Sequence, residues 1–232
     1  MKKFLTILEQ HGILTTRRTK EERTKNRIVV IQKQIQQYIK NGSKSTLDLY
    51  KLPITTLPNN LKNVGGDLLV FESPITALPD GLTIGRDLDA RDSKLTSLPN
   101  GLVIGRNLDV SYTKITFLPA DLKVDNSISI QYSNVEFLPD NLKVKGSLNI
   151  RGTRISVLPP GLYVQGHLSL ADTTITSIPG DAYINEIYHH HQVIKRANFA
   201  EYVYLRDNEP NLLASFLATQ RPPRTHFNTY NY

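Results

Sequence analysis

Three groups of residues in this chain are of types that do chemistry. Asp87, Asp89 and Asp109 fall at neighbouring or matching positions of a pattern that returns every 20 residues. Like charges brought that close repel, raise a pKa or recruit a cation. A calcium site would want more oxygen ligands from a flexible loop, so pairing with Arg91 is the expected arrangement. His189-His190-His191 is a consecutive run. Consecutive residues share no face of a helix or strand, which is poor geometry for one metal ion, and a surface turn is expected. The third group is Tyr50, Phe71, Arg91 and Arg151 with Tyr112 and Tyr132. Aromatic rings and guanidinium groups anchor protein interfaces because they combine large contact area with directional bonding. The alternative is that Tyr112 and Tyr132 stack on each other and Arg91 neutralises its acidic neighbours. No nucleophile, base and orienting acid occur together, and there is no phosphate-binding glycine loop. Neither an enzyme nor a cofactor is expected.

A repeat must position these side chains. Leu-Pro pairs at Leu78, Leu98, Leu118, Leu138 and Leu158, followed by Ile178-Pro179, recur every 20 residues, and an earlier copy at Leu57 carries one extra residue. Such a period marks a stacked solenoid. Within each unit an alternating stretch predicts a short strand, as at Asp67–Phe71, Asp87–Arg91, Asn107–Ser111 and Ser147–Arg151. Stacked in parallel, the strands carry outward columns. One reads Asp48, Leu69, Asp89, Asp109, Ser129, Asn149, Ser169; the next reads Tyr50, Phe71, Arg91, Ser111, Gln131, Arg151, Ala171. Pro after the first Leu holds the opposite side extended or irregular. The hydroxyl column Ser73, Ser93, Thr113, Ser133, Thr153 and Thr173 can bond backbone groups of adjacent turns.

The ends differ in character. The net charge of +7 belongs to the start: residues 1–45 hold 11 Lys/Arg against 3 Asp/Glu, whereas residues 46–180 hold 12 against 13. A short helix is expected up to about Gln10. A longer one should follow a capping box at Thr19 and Glu22, with Ile28, Ile31, Ile35 and Ile39 on one face and Asn41-Gly42 as its stop. Arg23, Arg27, Lys33 and Lys40 then form either a solvated face or an anion-binding face. After Pro179 a truncated last strand is expected over Gly180–Ile184. Helices should follow from Phe199, capped by Asn198, and from Pro210. The tail from Arg221 has no core periodicity. Expected domains are a basic helical cap (1–44), a solenoid (45–185), a helical C-terminal cap (186–220) and an extended or disordered tail (221–232). The chain has no cysteine, which removes disulfides and thiolate chemistry. The apolar run after Met1-Lys2-Lys3 ends too soon for an export signal, and no run is long enough to span a bilayer. A soluble protein is expected, cytoplasmic in a bacterium or its host, or part of a viral particle.

The unit from Leu138 to Val157 resembles the short LPX-type leucine-rich repeats of bacterial type III secreted effectors of the Yersinia outer-protein and Shigella invasion-plasmid-antigen kind, and similar repeats in phage-encoded proteins. The resemblance covers roughly residues 1–185. It implies a parallel β-sheet on the concave side and a helical hairpin before the solenoid. The Asn usual in such repeats is Ser or Thr here. The ubiquitin-ligase branch needs a catalytic cysteine in a large C-terminal domain, and neither is present in this sequence.

The fold class expected is thus an α+β leucine-rich-repeat solenoid with helical caps. The leading function is a non-enzymatic module that binds a protein partner through Tyr50, Phe71, Asp89, Arg91, Asp109, Tyr112, Tyr132 and Arg151. One alternative is a structural subunit of a larger assembly such as a phage particle. Another is nucleic-acid binding through Arg23, Arg27, Lys33 and Lys40.

Overall fold

The computed structural model describes residues 19–190 and 192–219. The chain divides into two compact units after Asn41. The helix expected up to Gln10 and the tail from Arg221 lie outside the described residues, as does His191.

In the first unit, helix α1 (Lys20–Lys40) starts at the expected capping box. The Glu22 N–H donates to Thr19 Oγ1 at 3.2 Å and the Thr19 N–H donates to the Glu22 carboxylate at 2.8 Å, satisfying two N–H groups at the helix start. Ile31 and Ile35 are its buried residues, and Ile28 and Ile39 are half-buried. At its end the Asn41 N–H donates to the Gln37 carbonyl. Gly42 follows at φ 88°, where a side chain would be strained.

The second unit is a solenoid. Its strands are β1 (Leu47–Asp48), β2 (Asn63–Val64), β3 (Leu68–Leu69), β4 (Thr83–Ile84), β5 (Leu88–Asp89), β6 (Val103–Ile104) and β7 (Leu108–Asp109). They continue with β8 (Lys123–Val124), β9 (Ile128–Ser129), β10 (Lys143–Val144), β11 (Leu148–Asn149), β12 (Tyr163–Ser169), β13 (Tyr183–His189) and β14 (Gln192–Ile194). The long sheet runs β1-β3-β5-β7-β9-β11-β12-β13, all parallel, and β14 closes it as an antiparallel partner of β13. Register follows the sequence period: Leu69 pairs Asp89, Asp89 pairs Asp109, Asp109 pairs Ser129 and Asn149 pairs Ser169. This is the leucine-rich-repeat type of parallel solenoid, with a small helical cap at its C-terminal end.

Alternation sorts the side chains. Leu88, Leu108, Ile128, Leu148 and Leu168 are at most 2 % exposed, and Val70, Ala90, Val110, Ile130, Ile150 and Leu170 are fully buried. No repeat could bury these residues alone; each turn is the floor of the next. At the strand entrances side chains stitch the turns together. The N–H groups of Asp87, Asn107, Ser127 and Ser147 donate to the side chains of Asp67, Asp87, Asn107 and Ser127 at 2.9–3.2 Å.

Three expectations need correction. From β1 to β11 each strand spans two residues rather than five, although ladder hydrogen bonds run on to the left-handed residue beyond the strand. The extended stretches before those strands also pair: β2, β4, β6 and β8 form a second parallel sheet, each separated by three residues from the next strand of the long sheet. The hydroxyl column bonds within its own turn. Ser73, Thr113, Ser133, Thr153 and Thr173 each donate to the carbonyl three residues earlier, at 2.5–2.7 Å. Finally, the last strand is not truncated. β13 is seven residues long and the β13–β14 hairpin ends the sheet.

The cap grows from that hairpin. Helix α2 (Phe199–Asn208) buries Phe199, Tyr202 and Val203, and α3 (Pro210–Ala218) begins at Pro210 as expected. Asn198 makes no side-chain cap to α2; a short 3-10 turn, Arg196–Asn198, leads into the helix instead. Arg196 reaches back to the Pro179 and Gly180 carbonyls at 2.9 Å. His189 is not on a surface turn. It is 1 % exposed, with Nδ1 2.8 Å from the Tyr202 hydroxyl and Nε2 3.3 Å from the Arg206 guanidinium. A guanidinium only donates, so Nε2 is the acceptor and Nδ1–H donates to Tyr202. His190, at φ 45°, makes the turn.

Two predictions follow from this packing. Burial, with the adjacent positive groups, pushes the His189 pKa down to about 4, below the roughly 6.5 of an unfolded chain. Between these values the unfolded chain binds a proton that the folded one does not, so stability rises with pH across this window. His189 costs no stability above it, and stability is lost as pH falls through it. Urea midpoints measured from pH 7 to pH 4 should decline less steeply in His189→Gln than in the wild type; parallel declines would contradict the assignment. Second, the Ser93 hydroxyl is buried without a partner, unlike its counterpart Ser133. Ser93→Ala should be neutral or stabilising in chemical denaturation, whereas Ser133→Ala should cost about 1 kcal/mol.

Candidate protein-binding face

The outward columns of the long sheet are built by a repeated exit from each strand. An Asp or Asn at the strand end turns its side chain onto the N–H two residues later. Asp48 accepts from Tyr50, Asp89 from Arg91, Asp109 from Ser111 and Asn149 from Arg151, at 3.0–3.3 Å. The next residue is left-handed in every turn: Lys51, Glu72, Asp92, Tyr112, Tyr132, Gly152 and Asp172 have φ between 51° and 63°. Their N–H groups still extend the ladder. Tyr112 donates to the Gln131 carbonyl at 3.0 Å, Tyr132 to Arg151 at 2.8 Å and Gly152 to Ala171 at 3.0 Å. A left-handed residue other than Gly is held against a steric cost of about 1–2 kcal/mol, so the two tyrosines are fixed in place by the solenoid.

The eight residues expected to bind form two groups. In the first, the Tyr50 and Phe71 rings stack with centroids 4.0 Å apart, and the Arg91 guanidinium lies 5.5 Å from the Phe71 centroid. Arg91 is held by both carboxylate oxygens of Asp89, at 2.9 and 2.7 Å, and lies 3.7 Å from Asp109. The bond to Asp89 raises the Arg91 pKa further and keeps it charged. Asp109 is pushed up by burial, against the opposing effect of its bonds from Ser111 and the charge of Arg91. Asp87 accepts from the backbone and side-chain amides of Asn107. The three carboxylates are thus engaged by protein donors. Among the described residues no group of three His, Asp or Glu side chains is arranged to hold a metal ion.

In the second group Tyr112 and Tyr132 stack at 5.2 Å, and both remain exposed, at 49 % and 39 %. Tyr132 continues across the next turn. Its hydroxyl donates to Asp172 at 3.0 Å, and Arg151 donates to the same carboxylate oxygen at 2.9 Å while its guanidinium lies 5.7 Å from the Tyr132 ring. The bonds from Arg151 and Tyr132 hold the Asp172 pKa below the usual range. The Tyr132 ring passes directly over Gly152, where a Cβ would strike it. Both arrangements weighed from the sequence are therefore present: the tyrosines do stack and Arg91 does pair with its acidic neighbours, yet the rings stay open to solvent.

Asp172 and Gly152 are the members of this site that the sequence reading missed. Both sit at the tyrosine position of later turns, 20 and 40 residues after Tyr132, and a Gly between a Tyr and an Asp in one column marks space for a ring. In the other unit, Arg23, Arg27, Lys33 and Lys40 are exposed on α1. None makes an ion pair with a described residue. Arg23 and Arg27 lie on one side of the helix, and Lys33 and Lys40 lie roughly a quarter to a third of a turn away from them, so they do not form a single stripe. No helix among the described residues is long and apolar enough to cross a membrane.

Gly152→Ala should destabilise the protein by about 1–2 kcal/mol through its left-handed backbone alone. It should also displace the Tyr132 ring, seen as loss of the upfield ring-current shifts of the Tyr112 and Tyr132 aromatic protons in NMR spectra. Unchanged ring shifts would contradict the seat assigned to Gly152.

No protein-family model matches the chain, and no curated protein matches it in sequence. Among solved structures it is similar to a Shigella effector LRR domain, with 17 % identity and a TM-score of 0.42, over 82 % of this chain and 97 % of that one.

Proposed function

We propose that the chain is a non-enzymatic module that binds a protein partner on the outer face of its long sheet. The observation that carries this reading is the pair of exposed tyrosines, Tyr112 and Tyr132, held in left-handed backbone and braced by Gly152, Asp172 and Arg151. Large rings fixed before contact lose little conformational entropy on binding, which is what makes aromatic anchors effective. Tyr50, Phe71 and Arg91 extend the same face toward the start of the solenoid. There Arg91 presents an edge to a partner while its charge is already compensated by Asp89. The partner's contact surface would be apolar at its centre with acceptors at the rim, matched to tyrosine hydroxyls and guanidinium groups.

Affinity capture from lysate of the native source tests this, with wild type beside Arg91→Glu/Tyr112→Ala/Tyr132→Ala and a variant lacking residues 1–42, each with and without nuclease treatment. The expected result is one protein retained by the wild type and by the truncated chain but lost from the triple variant, whose fold is verified by circular dichroism. Loss only on truncation, with nuclease sensitivity, would move the function to Arg23, Arg27, Lys33 and Lys40 and to nucleic acid.

A further inference from the structure

Three peptide bonds of the chain join an Asn or Asp to a Gly: Asn41–Gly42, Asp80–Gly81 and Asn100–Gly101. This pairing is the most open to one spontaneous reaction, because a glycine nitrogen has no side chain beside it to shield it. Once deprotonated, that nitrogen attacks the side-chain carbonyl carbon of the preceding residue. From Asn, the bond to the side-chain amide nitrogen breaks, ammonia leaves and a five-membered succinimide remains. Water then adds to one of its two carbonyls. Opening at the main-chain carbonyl gives isoaspartate, and opening at the side-chain carbonyl gives aspartate; no oxidant or reductant takes part.

All six residues are exposed, so access to water does not separate the three bonds. The peptide plane does. Ring closure must rotate the plane that joins the two residues, and a planar peptide carries its C=O and N–H together. In Asn100–Gly101 both groups are tied to neighbouring turns: the Asn100 carbonyl accepts from the Gly81 N–H at 3.0 Å, and the Gly101 N–H donates to the Asp121 carboxylate at 2.7 Å. Asp80–Gly81 is held in the same way. Its carbonyl accepts from Lys62 Nζ at 2.8 Å, and its N–H makes the bond to Asn100. Asn41–Gly42 has neither tie: among the described residues nothing donates to the Asn41 carbonyl, and the Gly42 N–H donates to nothing. Gly42 also has room around it. A Cβ there would meet only side-chain carbons of Lys44, at 3.7 and 3.9 Å. The Asn41 side-chain oxygen accepts from the exposed Gln37 amide at 2.8 Å, which draws electrons from the carbon that the nitrogen attacks.

We propose that Asn41 is a site of spontaneous covalent modification, converted through the succinimide to isoaspartate and aspartate, and that Asp121 and the Gly81 N–H spare Asn100. Either product puts a carboxylate at the C-terminal end of α1, where the helix dipole opposes negative charge. Isoaspartate also adds a methylene to the main chain at that point. The aged chain then becomes a substrate for enzymes that methylate isoaspartyl carboxylates. This inference does not depend on the function of the tyrosine face.

The test ages the full chain in mildly alkaline buffer, folded and in urea. Peptide mapping by mass spectrometry reads amide loss at each Asn, and methyl transfer by an isoaspartyl methyltransferase reads the isoaspartate formed. In the folded protein Asn41 should react roughly tenfold faster than Asn100 or more, since two hydrogen bonds must break before Asn100 can close its ring. In urea the two rates should converge. Asp121→Ala, its fold verified by circular dichroism, should speed the reaction at Asn100 several-fold and leave Asn41 unchanged, while Asn41→Gln should remove most methyl acceptance from the aged folded chain. Equal rates at Asn41 and Asn100 in the folded chain, no reaction at Asn41 where the urea-treated chain reacts, or an unaltered Asn100 rate in Asp121→Ala would overturn the proposal.

Discussion

Everything in the solenoid depends on the hydrogen bond between one turn's N–H and a carbonyl of the next turn, 19 residues later along the long sheet from Leu68 to Ile150. A parallel ladder satisfies both groups only if each turn presents the same backbone at the same height, so a constant period is a physical requirement and not a decoration of the sequence. The 20-residue spacing meets it along the long sheet from Leu68 through Leu168. Once the ladder is set, alternation alone puts Leu and Ile inside. The polar residues outside are aligned in columns that the chain never had to assemble by long-range search.

Columns convert single residues into surfaces. A left-handed residue at the strand exit is ordinarily a place for Gly or Asn, and the solenoid instead holds Tyr112 and Tyr132 there. Their rings line up because their backbones do. Arg151, Gly152 and Asp172, from the next two turns, then complete the setting, and each contributes something different: a cation beside the ring, a space beneath it and an acceptor beyond it. The same regularity makes departures informative. The pairing of the second sheet stops between β8 and β10, while the long sheet continues through β9 and β11 without interruption.

The fold was largely readable from the sequence because a repeat states its own register: the column Asp48 to Ser169 follows from counting by the period, with the one extra residue before Leu78 accounted for. The helix at Lys20 was equally open to reading, since Thr19 and Glu22 carry its start in their own chemistry. What could not be read were interactions decided by backbone conformation. That Asp89 and Asp109 cap strand exits, that a hydroxyl column bonds within its own turn, and that Gly152 is the seat of a ring depend on φ angles that side-chain types do not state. His189 was misread for a related reason. The run of three histidines looks like a surface feature, but a hairpin turning at His190 sends its neighbour into the cap beneath Tyr202 and Arg206.

The central claim is the register that makes the columns, and the absence of native cysteine allows it to be tested with engineered pairs. Ser129→Cys/Asn149→Cys joins residues that are direct partners on neighbouring strands, at about the 4.8 Å spacing of a sheet and within disulfide reach. Ser129→Cys/Arg151→Cys is offset by two residues and sits at roughly 8 Å. Mild oxidation should close the first pair quantitatively and leave the second open, as read by thiol titration of the folded protein. Closure of the offset pair in preference to the matched one would contradict the register and, with it, the face built on it.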